Sequence, residues 1–281
     1  MKSPGSSIAD MHVIVDREGE RRPARIAADL AARLDAHLTG IAIAFEPTVP
    51  VYAMPAAIPA EMIVAARERA IAEAETTAAA FRAIATAAGV PLDTRTHESL
   101  GGEGVAGIAG ALALSDLVVV GQVDPDRPDP LRRVLIESIL FHARAPALLI
   151  PYAGVTGFRT GRAMVAWDGG GTAAAAVRAA MPLLTMADEV LAVIVAEAGK
   201  SEMPGADIGA YLARHGLKVQ ARAMDVAGGS VASALLNFAA DEGADWLVMG
   251  AYGHSRLREF LLGGTTREIL ASMTLPVLMA H

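Results

Sequence analysis

Two stretches of this chain carry the same pattern 129 residues apart: Ser115-Asp116-Leu117-Val118-Val119-Val120-Gly121 and Ala244-Asp245-Trp246-Leu247-Val248-Met249-Gly250. A second pair follows each of them, Arg144-Ala145-Pro146-Ala147-Leu148-Leu149-Ile150 and Met273-Thr274-Leu275-Pro276-Val277-Leu278-Met279. Near the start of each half lies a short apolar run ending in aspartate, Met11-His12-Val13-Ile14-Val15-Asp16 and Ala163-Met164-Val165-Ala166-Trp167-Asp168. A further apolar run comes after a helical pattern in each half, at residues 38–45 and 190–196. A tandem duplication restricts the architecture to two copies of one fold. The joint falls in residues 151–161, where Pro, Gly and Thr interrupt the pattern. The expected units are residues 1–152 and 160–281.

Each half alternates short valine-rich runs with alanine-rich helical stretches. Runs as apolar as residues 116–120 suit a parallel sheet covered on both faces. The expected fold class is therefore α/β, with two tandem doubly wound five-stranded parallel-sheet domains, Rossmann-like in organisation. The halves differ between their second and third strands. The first carries a proline-punctuated loop at Pro47, Pro50, Pro55 and Pro59 and a long helical pattern over residues 60–88, whereas the second crosses with residues 197–217.

Composition narrows the function classes. With 53% hydrophobic residues a membrane protein must be considered, but the longest uncharged stretch, residues 226–240, has 15 residues and includes Gly228 and Gly229. A spanning helix needs about 20. Residues 1–10 lack the apolar centre of a secretory signal, so the expected compartment is the cytoplasm. The absence of cysteine removes disulfides, thiolate metal sites and cysteine nucleophiles. A net charge of −7 without long basic runs argues against nucleic acid as a partner.

In open α/β sheets, ligands bind beyond the carboxyl ends of the strands, where strand order reverses. Two such ends in the second half carry glycine-rich chemistry, Asp168-Gly169-Gly170-Gly171-Thr172 and Gly250-Ala251-Tyr252-Gly253. Nine residues after Gly253 come Gly263-Gly264-Thr265-Thr266, leading into an apolar-periodic segment. Glycines opening a helix let backbone N–H groups converge on an anion. Thr265 followed three residues later by Glu268 predicts a capping box with Thr265 as the cap.

Gly250-x-x-Gly253, nine residues, then Gly263 resembles the ATP-binding signature of the universal stress proteins, Gly-x2-Gly-x9-Gly-Ser/Thr. The flanking stretches 245–250, 257–262 and 275–278 look like that family as well. The resemblance implies a stress-response binding and signalling module that takes ATP with Mg²⁺ in its C-terminal half. It places Asp168 by the nucleoside, Val195 against the adenine, and Met249, Gly250, Gly253, Gly263, Gly264 and Thr265 around ribose and phosphates. One departure is Gly264, which stands where the family has Ser/Thr, so that Thr265 or Thr266 must supply the hydroxyl. It also implies pairing of the two halves through their last strands, residues 147–150 and 276–279, with a homodimer and an unidentified protein partner as further expectations.

The first half shows the fold without the cradle. Gly121 is followed by Gln122, Val123 and Asp124, which puts a carboxylate where a phosphate would sit. Aligning Pro146 with Pro276 sets Arg133, Val134 and Leu135 against Gly263, Gly264 and Thr265. One nucleotide site per chain is expected.

Two other glycine patterns compete. Gly102-x-Gly104-x-x-Gly107 follows a third strand rather than a first, which is the wrong context for a dinucleotide fingerprint. Gly169-x-Gly171-x-x-Ala174 is better placed and leaves an NAD- or other nucleotide-dependent enzyme as an alternative, with Glu197 as its acidic residue. No Gly-x-Ser-x-Gly, P-loop or His-Glu-x-x-His occurs, and no histidine pair has metal-ligand spacing. Phosphoryl transfer needs a metal ligand and a residue that positions the nucleophile. Asp168 is the one candidate carboxylate near the loop, so no catalytic or metal-ligating residue is assigned and a binding module is favoured over an enzyme. A further alternative is the same fold with both sites empty, acting through protein contacts alone.

Overall fold

The computed structural model describes residues 8–45, 59–99, 106–126, 129–195, 205–224, 229–253 and 264–281. The first half runs β1 (Asp10–Ile14), α1 (Arg22–Leu34), β2 (His37–Phe45), α2 (Ala60–Ala87), β3 (Leu92–Ser99), α3 (Ala106–Leu112), β4 (Leu117–Gly121), α4 (Pro130–Ser138) and β5 (Ala147–Ile150), with a π-helical turn at Ile139–Ala143 continuing α4. The second runs β6 (Arg162–Trp167), α5 (Gly171–Leu184), β7 (Glu189–Val195), α6 (Gly205–Arg214), β8 (Val219–Met224), α7 (Val231–Asp241), β9 (Trp246–Gly250), α8 (Thr265–Ser272) and β10 (Val277–Ala280). The strand–helix alternation read from the repeat is present in both halves. Of the readings made above, Gly102, Gly104, the prolines at 47, 50 and 55, Glu197 and Gly263 lie outside the described residues.

The ten strands form one sheet in the order β3-β2-β1-β4-β5-β10-β9-β6-β7-β8. Within each set of five every neighbouring pair is parallel, and β1/β4 and β6/β9 mark the points where the chain reverses direction across the sheet. The sets meet at β5 and β10, which run antiparallel with Leu148 opposite Leu278. That pairing matches the expected intrachain contact between last strands.

Side-chain alternation explains why such apolar strands are stable here. Leu117 and Val119 face one core while Val118 and Val120 face the other, and all four are fully buried. Each core draws residues from both halves, so the helices on a face share one continuous apolar layer. Joining at β5–β10 also leaves just two outer strands among the ten. One of them is polar: β3 reads Leu-Asp-Thr-Arg-Thr-His-Glu-Ser, which discourages further edge pairing. Among the described residues no helix is long and apolar enough to cross a membrane.

His12 is an exception within β1, with 5% exposure and its Nδ1 hydrogen-bonded to Ser115 Oγ. Burial lowers its pKa from 6.5, with Arg95 and His37 acting the same way and Asp10 opposing them. His97 is lowered for the same leading reason. A histidine that resists protonation when folded supports stability fully above the unfolded value, and that support is lost as pH falls from there toward the folded value. Denaturant midpoints are therefore expected to drop as pH falls below about 6.5. His12→Gln is expected to flatten that slope, and an unchanged slope would place the effect elsewhere.

Candidate functional site

The switch point between β6 and β9 gathers the second half's polar chemistry. β6 ends at Trp167, and Asp168 follows it in an exposed position. Its Oδ1 accepts a hydrogen bond from the Gly170 backbone N–H at 2.7 Å, which folds the turn that starts α5. Gly169 makes that turn possible with a φ of 79°. Gly170 then occupies the cap position of α5. The aspartate thus shapes the loop before the helix rather than capping the helix itself.

On the other side of the crevice β9 exits at Gly250. A Cβ there would lie 2.6 Å from the Ala173 amide nitrogen and 2.7 Å from Thr172 Oγ1. A Cβ at Gly253 would lie 2.8 Å from the same Thr172 hydroxyl. Gly250 is therefore required by the backbone of the first turn of α5, which packs directly onto the loop after β9, while Gly253 meets only the Thr172 side chain. This close approach sets the Thr172 hydroxyl between the two glycines. Thr172 was not selected from the sequence as a site residue, although it ends the glycine run that drew attention to the segment.

The loop is also tied to α8. Gly264, and not Thr265, is the cap residue of α8, and its carbonyl accepts from the Arg267 and Glu268 amides at 2.9 and 3.2 Å. No side-chain cap bond forms, so the expected capping box is absent. The reason is visible one residue on: Thr266 is 2% exposed and its Oγ1 accepts from the Tyr252 backbone N–H at 3.1 Å. Thr266 is a fastener between helix and loop, which leaves Thr265 as the more accessible hydroxyl. Tyr252 adopts a left-handed φ of 56° and packs its ring against Phe141 of the first half, with centroids 4.6 Å apart. Its ring belongs to the junction between halves.

Among the proposed site residues, Asp168, Gly250, Gly253, Gly264, Thr265 and Thr266 come together at this edge of the sheet. Met249 is 5% exposed and packs in the core behind it, as Met273 and Met279 do. Val195 closes β7, where it pairs with Met224. Gly263 lies outside the described residues. The amino ends of α5 and α8 both open at the carboxyl edge of the sheet, which presents two positive helix ends to the crevice. Among the described residues no three His, Asp or Glu gather as a metal site.

The equivalent point in the first half is built differently. Asp16 corresponds to Asp168, but Arg132 of α4 reaches it at 2.7 Å. Burial raises the Asp16 pKa from 3.8, and Arg132 opposes that rise by charge and hydrogen bonding. The helix α4 starts at Pro130 on an Asp129 cap, so Arg133, Val134 and Leu135 lie inside a helix where the second half has glycines leading into one. Leu135 lines the crevice there while Val134 is exposed, so helix α4 borders the first-half switch point.

Residues 160–281 match the family model of the universal stress protein family. Over 50 residues, 18% of this chain, it is 40% identical to a universal stress protein from Synechocystis, and that stretch spans 17% of the relative's own length. The whole chain resembles the solved structure of a universal stress protein from Archaeoglobus fulgidus, with a TM-score of 0.70 and 16% identity over 96% of this chain and 95% of that one. A functionally unknown protein from Pseudomonas aeruginosa resembles it with a TM-score of 0.57 and 15% identity over 98% of this chain and 92% of that one. At such identities the two structures establish the shared fold alone.

Proposed function

From the match of residues 160–281 to the universal stress protein family model, we propose that this chain is a member of that family, that its C-terminal half binds ATP and that the protein is a stress-response binding module rather than a turnover enzyme. The observation that carries this reading is the fit of Gly250 and Gly253 against Thr172. It brings Asp168, the Thr172 hydroxyl and the Gly264 end of α8 around one crevice at the switch point. Asp168 keeps Oδ2 for a ribose hydroxyl while Oδ1 holds the Gly170 amide. The Thr172 and Thr265 hydroxyls stand in for the Ser/Thr that Gly264 replaces, and the two helix ends favour phosphate charge. Mg²⁺, where present, would be carried mainly by phosphate oxygens and water, with Asp168 as a carboxylate of this chain able to approach it. Location in the cytoplasm and association into homodimers are part of the same proposal.

The dinucleotide alternative loses support from the same loop. The Gly170 N–H that a pyrophosphate would need is already bonded to Asp168.

Titration calorimetry of the full chain with ATP and Mg²⁺ is expected to give about one site, with Asp168→Ala weakening it by roughly tenfold, the value of a charge-assisted hydrogen bond. Two equal sites, or no binding with no nucleotide released on denaturation, would favour respectively a working first-half site or the reading in which both sites are empty.

A further inference from the structure

The first-half crevice, set aside above as a nucleotide cradle, is a cleft of about 740 Å³ at the β1/β4 switch point. Ligand pockets typically span about 300–1,000 Å³. Three guanidinium nitrogens of residues lining it, Arg21 Nε, Arg22 Nε and Arg132 Nη1, are buried and have no hydrogen-bond partner among the described residues. Buried polar groups are normally paired, so three orphan donors at one cleft call for an acceptor. Each guanidinium is anchored through its other nitrogens. Arg21 Nη2 donates to the Arg17 carbonyl at 2.9 Å, Arg22 donates to Glu20 and to the Tyr152 carbonyl, and Arg132 pairs with Asp16. The remaining N–H groups are thereby fixed before any ligand arrives, which lowers the ordering cost of binding.

Two further observations point the same way. Five residues, 17–21, separate Asp16 from α1, whereas two, 169–170, separate Asp168 from α5. The longer loop is the one that delivers Arg17 and Arg21. Arg21 also sits in the left-handed region with a φ of 47°, a conformation that costs free energy for a side chain with a Cβ and persists where the surroundings impose it.

We propose that this crevice binds a small organic carboxylate with an apolar body, received by the free N–H groups of Arg21, Arg22 and Arg132. The charge balance disfavours a polyanion. Four arginines line the cleft against five carboxylates, Asp124 among them, so a polyphosphate would meet strong repulsion. One carboxylate needs only the local donors. The apolar side of the lining, with Ile14, Ile43, Phe45 and Leu135, accepts a hydrocarbon or aromatic body. This site is independent of ATP binding in the second half.

Sodium benzoate is the probe, titrated into the full-length protein by calorimetry and thermal shift at constant ionic strength against sodium chloride. Saturable binding at one site is expected, with Tm rising as benzoate is added. Arg21→Gly is expected to weaken benzoate at least tenfold while the free variant melts at or above the parent temperature, because glycine relieves the left-handed backbone. Gly263→Val, aimed at the second-half loop, is expected to leave benzoate binding unchanged, which separates this site from the ATP reading. No saturable heat, equal affinity in Arg21→Gly, or displacement of benzoate by ATP would each overturn the proposal. If Arg21→Gly fails to fold, Arg21→Gln replaces it with the same expected loss of affinity.

Discussion

Gly250→Ala is expected to destabilise the protein by about 1–3 kcal/mol and to abolish ligand binding at the β6/β9 crevice. The added Cβ would stand 2.6 Å from the Ala173 nitrogen and 2.7 Å from the Thr172 carbonyl carbon. Both are backbone atoms in the first turn of α5, so no rotamer change can make room. Neither side has an inexpensive escape. β9 is held by parallel ladders to β6 and β10, and Gly250 itself pairs with Ala280. On the other flank, Ala173, Ala176, Val177 and Ala180 of α5 are buried in the shared core. The strain is therefore expected to shift the amino end of α5, moving Thr172 away from Asp168 and the loop. Gly171→Ala is the control, since a Cβ there meets nothing within 4 Å and a helical position favours alanine. It is expected to be neutral or stabilising by up to about 1 kcal/mol. Urea denaturation and ATP calorimetry on the two variants check this. Equal stability of Gly250→Ala and the parent would mean that the glycine is present for the ligand and not for the helix.

That contrast shows how far the site could be read from residue order. The pair Gly250 and Gly253 was visible as a phosphate-loop pattern, but its immediate physical cause is the approach of α5, which starts some 80 residues earlier in the chain. Spacing along a chain records such contacts without stating their partner. The cap of α8 was misplaced by one residue for a related reason. Thr265 and Thr266 are both chemically able to act near a helix start, and the choice was made by the Tyr252 amide, a contact spanning 14 positions. The Arg132–Asp16 pair, between residues far apart in the chain, was not legible at all, because an arginine inside a helical pattern carries no mark of what it will reach. The fold was more open to reading. Burial of β4 on both faces and the matching runs of β9 follow from local apolar order, and the joint at residues 151–161 lies between the observed ends of β5 and β6.

Leu148→Ala, a change in the first half, is expected to lower the unfolding midpoint reported by tryptophan emission, although both tryptophans lie in the second half. Leu148 and Leu278 face each other across the antiparallel β5–β10 pair, and both are fully buried in the same core. Removing a buried leucine side chain to alanine costs about 2–5 kcal/mol, the larger values where neighbours cannot collapse into the space. Collapse is restricted here, because the site lies between two five-stranded sets whose strands are fixed by ladders on either side. The loss falls on a core to which both halves contribute. Trp246 is part of that core, is itself fully buried, and packs edge-on against Phe158 in the segment joining the halves. A single cooperative transition follows, in which tryptophan emission and far-ultraviolet dichroism shift by the same amount in Leu148→Ala. If the tryptophan transition stayed in place while the dichroism divided into two steps, the two halves would be separate folding units that merely touch at β5 and β10. Coincident shifts would make the ten-stranded sheet the unit of stability. Ligand binding at either crevice would then raise the melting temperature of the whole chain, because each crevice is bounded by strands of that one sheet.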